Sequence, residues 1–243
     1  MREQPPKTPR WQHSSQVFHE RAEEYDTWFD NSQLFAIEKA AIQSLDISFS
    51  QPALEVGVGP GRFAEALQIP LGIDPAMAPL LLAKKRGICT CQAIAEELPF
   101  ATSSLGAIFL LFTLCFLESP TRFLQECARA LRHDAPLVVG LVPADSAWGR
   151  NLLQKKEHGH PFYQTARFST IAQLQQLLTK NSFHICKSAS TLYQTPEKLA
   201  EFEPASPGLD ERAGFVVIVA RYNKRKSSSF SSPIQVNNLK TQL

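Results

Sequence analysis

Long apolar runs are missing from this chain: no stretch of its 243 residues reaches the roughly 20 consecutive apolar side chains that cross a bilayer. The opening residues, Met1 to Trp11, are polar and proline-rich, without the basic start and apolar core of a secretory leader. Both absences predict a cytoplasmic protein with no membrane span. A positive stripe is missing as well. The formal charge is only +2, and Arg221, Lys224, Arg225, Lys226 and Lys240 lie in a closing segment free of acid, so the rest carries a slight excess of acid. That balance does not suit a protein that tracks a phosphate backbone, and a small molecule is the expected substrate. The five cysteines are odd in number, and the lone pair Cys89 and Cys91 has no second pair at zinc-finger spacing, so no metal site is expected. They read as reduced thiols in apolar stretches. Glycine is scarce too, at 11 residues, which makes the cluster Gly57, Gly59 and Gly61 informative.

What is present alternates between short apolar strands and amphipathic helices. Pro52 to Val58, Leu71 to Asp74, Ala107 to Leu114 and Leu137 to Val142 read as buried strands, with helices at Arg62 to Gln68, Ala76 to Arg86 and Thr121 to Arg132. Such alternation predicts βαβ units and a parallel sheet covered on both faces. Ahead of it, Val17, Phe18, Tyr25, Trp28, Phe29, Leu34, Phe35 and Ile37 recur at mixed helical spacings and predict one or two amphipathic helices. Ala144 to Arg167 has no steady period and mixes aromatic, basic and histidine residues, as a cap would. A helix follows to Lys180, with Ser169 or Thr170 as its N-cap. Phe183 to Tyr193 and Gly214 to Tyr222 then read as a late antiparallel pair. Residues 1–12 are expected to be a disordered arm and residues 223–243 a disordered basic tail, given their polar composition.

The most informative segment is Glu55-Val56-Gly57-Val58-Gly59-Pro60-Gly61-Arg62, where a buried strand turns into a helix. Three glycines there let the backbone turn sharply and bring its N–H groups against a ligand at the helix N-terminus. A dinucleotide fingerprint needs its third glycine where Arg62 stands, which disfavours a nicotinamide-dependent oxidoreductase. Asp74 ends the second strand, where a carboxylate can accept both hydroxyls of a ribose; the same residue before Pro75 also suits a helix cap.

These residues resemble the class I S-adenosylmethionine-dependent methyltransferases, in particular the small-molecule group that includes ubiquinone- and menaquinone-biosynthesis-type enzymes. The resemblance covers roughly residues 50–143. It implies a three-layer α/β Rossmann-like fold, a seven-stranded mainly parallel sheet ending in an antiparallel strand, and S-adenosyl-L-methionine as cofactor. The domain would span residues 13–222, with residues 13–49 as a helical cover and residues 144–168 as the cap. By the same likeness Glu55 lies near the methionine amino group, Gly57, Gly59 and Gly61 pack on the cofactor, Asp74 holds the ribose, and Met77 lies beside the adenine. Ala93-Ile94-Ala95-Glu96-Glu97-Leu98-Pro99-Phe100 is similar to a further family segment, with Ile94 in place of the acid that meets the adenine amino group. Backbone near Ala95 would then read the base. Ser104-Leu105-Gly106 and Asp134-Ala135 also depart from the family pattern, which keeps an inactive cofactor-binding protein as the alternative reading.

Methyl transfer from a sulfonium needs alignment and exclusion of water more than a protein nucleophile, so the acceptor site has no fixed motif. Arg150, His158, His160 and Tyr163 in the cap are the expected acceptor-side residues. The cap and the N-terminal aromatics together are expected to wall the acceptor pocket.

Overall fold

The computed structural model describes residues 9–223, so the expected arm and tail lie almost wholly outside the described residues. The parallel part of the sheet comes from short apolar strands that end in turn residues. β1 (Ala53–Val56), β4 (Ala107–Leu111) and β5 (Pro136–Leu141) are buried along their whole length, as strands covered on both faces must be. β2 (Leu71–Asp74) and β3 (Cys89–Gln92) extend the sheet to one edge. The connecting helices are α4 (Arg62–Ala66), α5 (Met77–Lys85) and α6 (Pro120–Ala130). Helix α6 starts where Ser119 Oγ accepts the Arg122 N–H and Pro120 takes the first helical position.

β6 (Phe183–Thr191), β7 (Ser206–Pro207) and β8 (Phe215–Tyr222) complete an eight-stranded sheet in the order β3-β2-β1-β4-β5-β8-β6-β7. The first five strands run parallel, and the last three are antiparallel to their neighbours. The strand beyond the expected seven is β7. It has two residues, paired with Ala189 and Ser190, and is too short to leave a periodic pattern. After β3 the chain returns to the other side of β1 to form β4, and the carboxyl ends of these strands open the crevice where such sheets bind ligands.

Alternation along β8 shows how the sheet divides the core. Val216, Ile218 and Ala220 join the cluster that holds Phe123 and Cys127 of α6 and Leu174 and Leu178 of α8 (Ile171–Lys180). Phe215, Val217 and Val219 join the opposite cluster, with Ile37, Ala41 and Ile42 of α3 (Gln33–Ser44) and Phe63 of α4. The result is three layers. Helix α8 opens on a capping box between Thr170 and Gln173, so Thr170 is the cap.

Three helices, not one or two, form the N-terminal cover: α1 (Arg10–Glu20), α2 (Ala22–Thr27) and α3. Helix α1 begins within the segment read as a loose arm because Arg10 anchors it. The Arg10 guanidinium donates to Thr165 O at 2.9 Å and Leu117 O at 2.6 Å, and its backbone N–H donates to Glu118. Helix α2 is held by Asp26, which accepts from Arg62 Nε at 2.6 Å and Arg86 Nη2 at 2.8 Å. Burial pushes the Asp26 carboxyl up, but these hydrogen bonds outweigh it and hold the group below its ordinary value.

Residues 144–168 are more regular than their sequence suggests. They contain α7 (Ala147–Glu157), where Ser146 Oγ accepts the Gly149 N–H, and a 3-10 turn at Pro161–Tyr163. The cysteines also differ from expectation. Cys89 and Cys91 lie on the edge strand β3 and are exposed, as is Cys186, while Cys127 is buried; all five are free thiols. β3 has a neighbouring strand on one side only, and Cys89, Cys91 and Gln92 are left exposed there. Among the described residues no helix is long and apolar enough to cross a membrane.

Candidate functional site

Two adjoining cavities open at the carboxyl ends of the parallel strands. The first, of about 90 Å³, is walled by Gly57 and Gly59 after β1, Asp74 and Pro75 after β2, Ala93 to Glu96 after β3, and Thr113 after β4. Helix α1 roofs it with Trp11, Ser14, Ser15 and Phe18. The glycine turn is set by pairing: the Gly57 and Val58 N–H groups both donate to Ile73 O, at 2.8 and 2.9 Å. Gly59 has φ +51°, and a Cβ there would meet only Tyr25 Cε1 at 3.5 Å, so its missing side chain leaves open room in the cavity. At Gly61, φ is +84° and a Cβ would lie 2.9 Å from Ala83 Cα, so this glycine is required by the approach of α4 to α5. Gly61 is not on the cavity wall.

Asp74 lies on the cavity wall with its side chain bonded within the protein, two residues before Ala76, the N-cap of α5. Oδ2 accepts the Gly59 N–H at 3.1 Å and Oδ1 accepts the Ala76 N–H at 2.8 Å, which ties the turn to the start of α5. A carboxylate has about four acceptor positions, so two remain for a ligand. Burial pushes the Asp74 carboxyl up to about 6 in spite of the two N–H donors.

The other expected residues are placed less uniformly. Glu55 is buried beneath the turn and not on the wall; its Oε2 has no hydrogen-bond partner, and burial drives the carboxyl well above its usual range while the Ala64 N–H offsets part of the rise. Ala95 is buried on the wall beside Ile94. Met77 is 41% exposed in the first turn of α5 and off the wall, because α5 turns it outward while Pro75 and Pro79 take the inward places. Glu96, quoted above only as part of a motif, is buried on the wall and accepts the Ser119 N–H at 3.0 Å.

The second cavity, of about 510 Å³, lies between the N-terminal cover and the cap. Tyr25, Trp28 and Phe35 line it from one side, and Trp148, Phe162 and Tyr163 from the other. Tyr25, Trp28 and Phe162 are in mutual contact: Tyr25 meets Trp28 at 5.3 Å and Phe162 at 5.7 Å, and Trp28 meets Phe162 at 5.0 Å. Of the expected acceptor-side residues, His160 and Tyr163 are on this wall, with ring centroids 4.9 Å apart. Burial and Lys155 lower the His160 pKa, and burial pushes Tyr163 up to about 12. Arg150 and His158 are not on it. Both are exposed on α7 or just after it and bond back along the chain, Arg150 to Asp145 O just ahead of the helix and His158 to Gln154 O.

One wall residue escaped the sequence reading. Glu38 is 7% exposed and lines the second cavity, with no hydrogen-bond or ion-pair partner among the described residues. Its signal was available. Leu34, Ile37, Ala41, Ile42 and Leu45 recur at helical spacing, and Glu38 is the one acid on that stripe.

Phe18, Tyr25, Phe112 and Phe116 belong to both cavities. Phe112 holds a left-handed backbone, φ +59°, and stacks on Phe215 at 5.0 Å. For a bulky residue that conformation is strained and requires support from its surroundings. Among the described residues no group of three or more His, Cys, Asp or Glu side chains could hold a metal ion.

Comparison with known proteins agrees with this architecture. Residues 54–139 match the family model described as a methyltransferase domain. An uncharacterised protein of Mycobacterium tuberculosis is 38% identical over 201 residues, covering 81% of this chain and 70% of that one. An uncharacterised protein of Methanocaldococcus jannaschii is 32% identical over 205 residues, 84% of this chain and 98% of its own. A crystal structure from Thermotoga maritima, described as an S-adenosylmethionine-dependent methyltransferase and a possible histamine N-methyltransferase, is 34% identical. It covers 87% of this chain and 100% of its own, with a TM-score of 0.79. The strand order, the glycine turn and these likenesses agree, and this chain belongs to the class I S-adenosylmethionine-dependent methyltransferases.

Proposed function

We propose that the protein transfers the methyl group of S-adenosylmethionine held in the first cavity to a small-molecule acceptor held in the second. The observation that carries this reading is the shared wall: Phe18, Tyr25, Phe112 and Phe116 separate the two spaces by single side chains. The cofactor supplies an activated methyl group on a sulfonium. The residues of the first cavity fit it. Asp74 has acceptor positions to spare for two ribose hydroxyls, and the open room at Gly59 admits the cofactor's close approach. Ile94 gives the base an apolar neighbour, so hydrogen bonding to it falls to backbone near Ala95. Glu55, off the wall beneath the turn, accepts from the Ala64 N–H and supports the turn without touching the cofactor. Gly61 and Met77 have no part in binding.

The chain's contribution to rate is positional. Tyr25 and Phe112, on the wall between the two spaces, would position the acceptor towards the cofactor's methyl group, and the aromatic walls would keep water out. No side chain has to act as a nucleophile. Calorimetry with S-adenosylhomocysteine and a screen of labelled methyl transfer onto a metabolite panel test the reading together. Binding of NAD in preference to either sulfur cofactor, or transfer only to macromolecules, would overturn it.

A further inference from the structure

The second cavity contains a feature that methyl transfer as such does not require. Glu38 projects from the core-facing stripe of α3 into an aromatic chamber, nine-tenths buried and without a partner among the described residues. A buried carboxyl without a hydrogen bond is costly unless something outside the protein answers it. The remaining titratable groups on the same wall are Tyr25, Tyr163, Cys115, His160 and Lys155. Burial pushes both tyrosines and the thiol up, so they stay neutral, and it lowers His160, which keeps the ring neutral. Lys155 is the one basic side chain besides His160 among them, and it is exposed on α7. The interior of the chamber therefore has one acid, no cation and many rings.

Resting on the two-cavity reading above, we infer that the acceptor is a small aromatic or aralkyl amine, whose nitrogen is held and deprotonated by Glu38. Two kinds of interaction select it. A carboxylate and aromatic rings both attract a cation, whereas a carboxylate or phenolate acceptor would meet repulsion from Glu38. The chemistry also needs a base at that place. An aliphatic amine arrives as an ammonium ion, because its pKa resembles that of lysine, and an ammonium has no lone pair to donate. Burial raises the Glu38 carboxyl well above its ordinary range, which makes it able to take the proton. The freed nitrogen lone pair then forms the bond to the methyl carbon while the carbon–sulfur bond breaks and its electron pair goes to sulfur. The methylated ammonium leaves, and Glu38 releases the proton it took to water, so charge and protons balance. Glu38 is in this sense a catalytic residue, and the rings are its specificity walls.

Three size-matched probes test the inference by calorimetry on the full chain saturated with S-adenosylhomocysteine: 2-phenylethylamine, 2-phenylethanol and phenylacetate. The amine is expected to bind at least tenfold more tightly than the alcohol, and phenylacetate more weakly than both. Glu38→Gln should lose at least tenfold for the amine, stay within twofold for the alcohol, and keep the wild-type affinity for S-adenosylhomocysteine. Equal response of the wild-type chain to amine and alcohol, including no response to either, overturns the inference. So does a Glu38→Gln variant that keeps the preference. Should that variant fail to fold, the wild-type comparison of amine with alcohol still decides. A wild-type chain that does not bind S-adenosylhomocysteine refutes the cofactor reading instead, and the two failures are thereby distinct.

Discussion

The first cavity is walled mainly by main chain and short side chains at the ends of four neighbouring strands, and its two wall carboxyls, Asp74 and Glu96, accept from backbone N–H groups. The second is walled by large side chains from segments as distant in sequence as Tyr25 and Phe168, with Glu38 as its interior acid. Backbone geometry is set by the sheet, so the first space is common to proteins that share the sheet. Side chains on a cover and a cap change without disturbing the strands, so the second space can be specific to this chain. Variants that act on one space and spare the other sharpen this division. Variants that act on both break it.

The largest separation is expected from Gly59→Val. A β-branched residue at φ +51° is strained, and its side chain would fill the room facing Tyr25. Affinity for S-adenosylhomocysteine should fall at least a hundredfold, about 3 kcal/mol, while circular dichroism keeps its native form. Normal affinity would mean that the cofactor does not approach this turn. Next comes Asp74→Ala, where the loss of charge-assisted hydrogen bonds should cost roughly 2 kcal/mol, about thirtyfold in affinity. The pH profile gives an independent check. Asp74 is raised to about 6, so it is ionised above that value and accepts hydroxyl protons; as pH falls through about 6 it takes up a proton, and affinity should fall with it. Asp74→Asn should abolish that slope.

Asp26→Asn is the variant meant to break the division, because Asp26 ties the cover to both α4 and α5 through Arg62 and Arg86. Unfolding free energy should fall by about 2 kcal/mol, and ligands of both cavities should weaken severalfold. The folded-state pKa of Asp26 is depressed, so its contribution is present above the usual carboxylate range and is lost as pH falls through the lowered value. A melting curve unchanged by this substitution would show that the clamp contributes nothing. Smaller effects belong to the cap. Tyr163→Phe should raise the acceptor KM a few fold and leave S-adenosylhomocysteine affinity intact. Arg150→Ala should change neither, since Arg150 lines neither space and bonds to Asp145 O just ahead of its helix; a loss of turnover there would move the acceptor to the outer face of α7.

Legibility followed the same division. β1, β2, β4 and β5 were readable because short apolar strands buried over all or most of their length look alike in any such sheet, and the glycine turn and Asp74 end two successive strands that pair side by side. Gly61 was assigned to the ligand because sequence cannot tell a glycine that makes room for a cofactor from one that makes room for Ala83. Met77 was misplaced by the rotation of one short helix. The strand β7 and the exposed cysteines of β3 are edge features, where pairing depends on neighbours and not on a pattern of burial. His160 and Tyr163 were named together with Arg150 and His158 because only the course of α7 and the turn after it separates inward from outward. Glu38 was readable in principle from its stripe but carried no motif.

The roof over the first cavity sets a timetable for the enzyme. At about 90 Å³ that space is well below the roughly 300–1,000 Å³ of ordinary ligand sites, and Trp11, Ser14 and Phe18 of α1 roof it. Arg10, with its bonds to Thr165, Leu117 and Glu118, is the latch that keeps α1 there. Release of the spent cofactor past this roof is expected to require α1 to lift, which would make the Arg10 bonds, and not the methyl's passage, the control on throughput. Rapid mixing should then show one fast methyl transfer per chain followed by a slower steady rate. Loosening the latch with Arg10→Ala should quicken the steady phase while the first turnover keeps its speed.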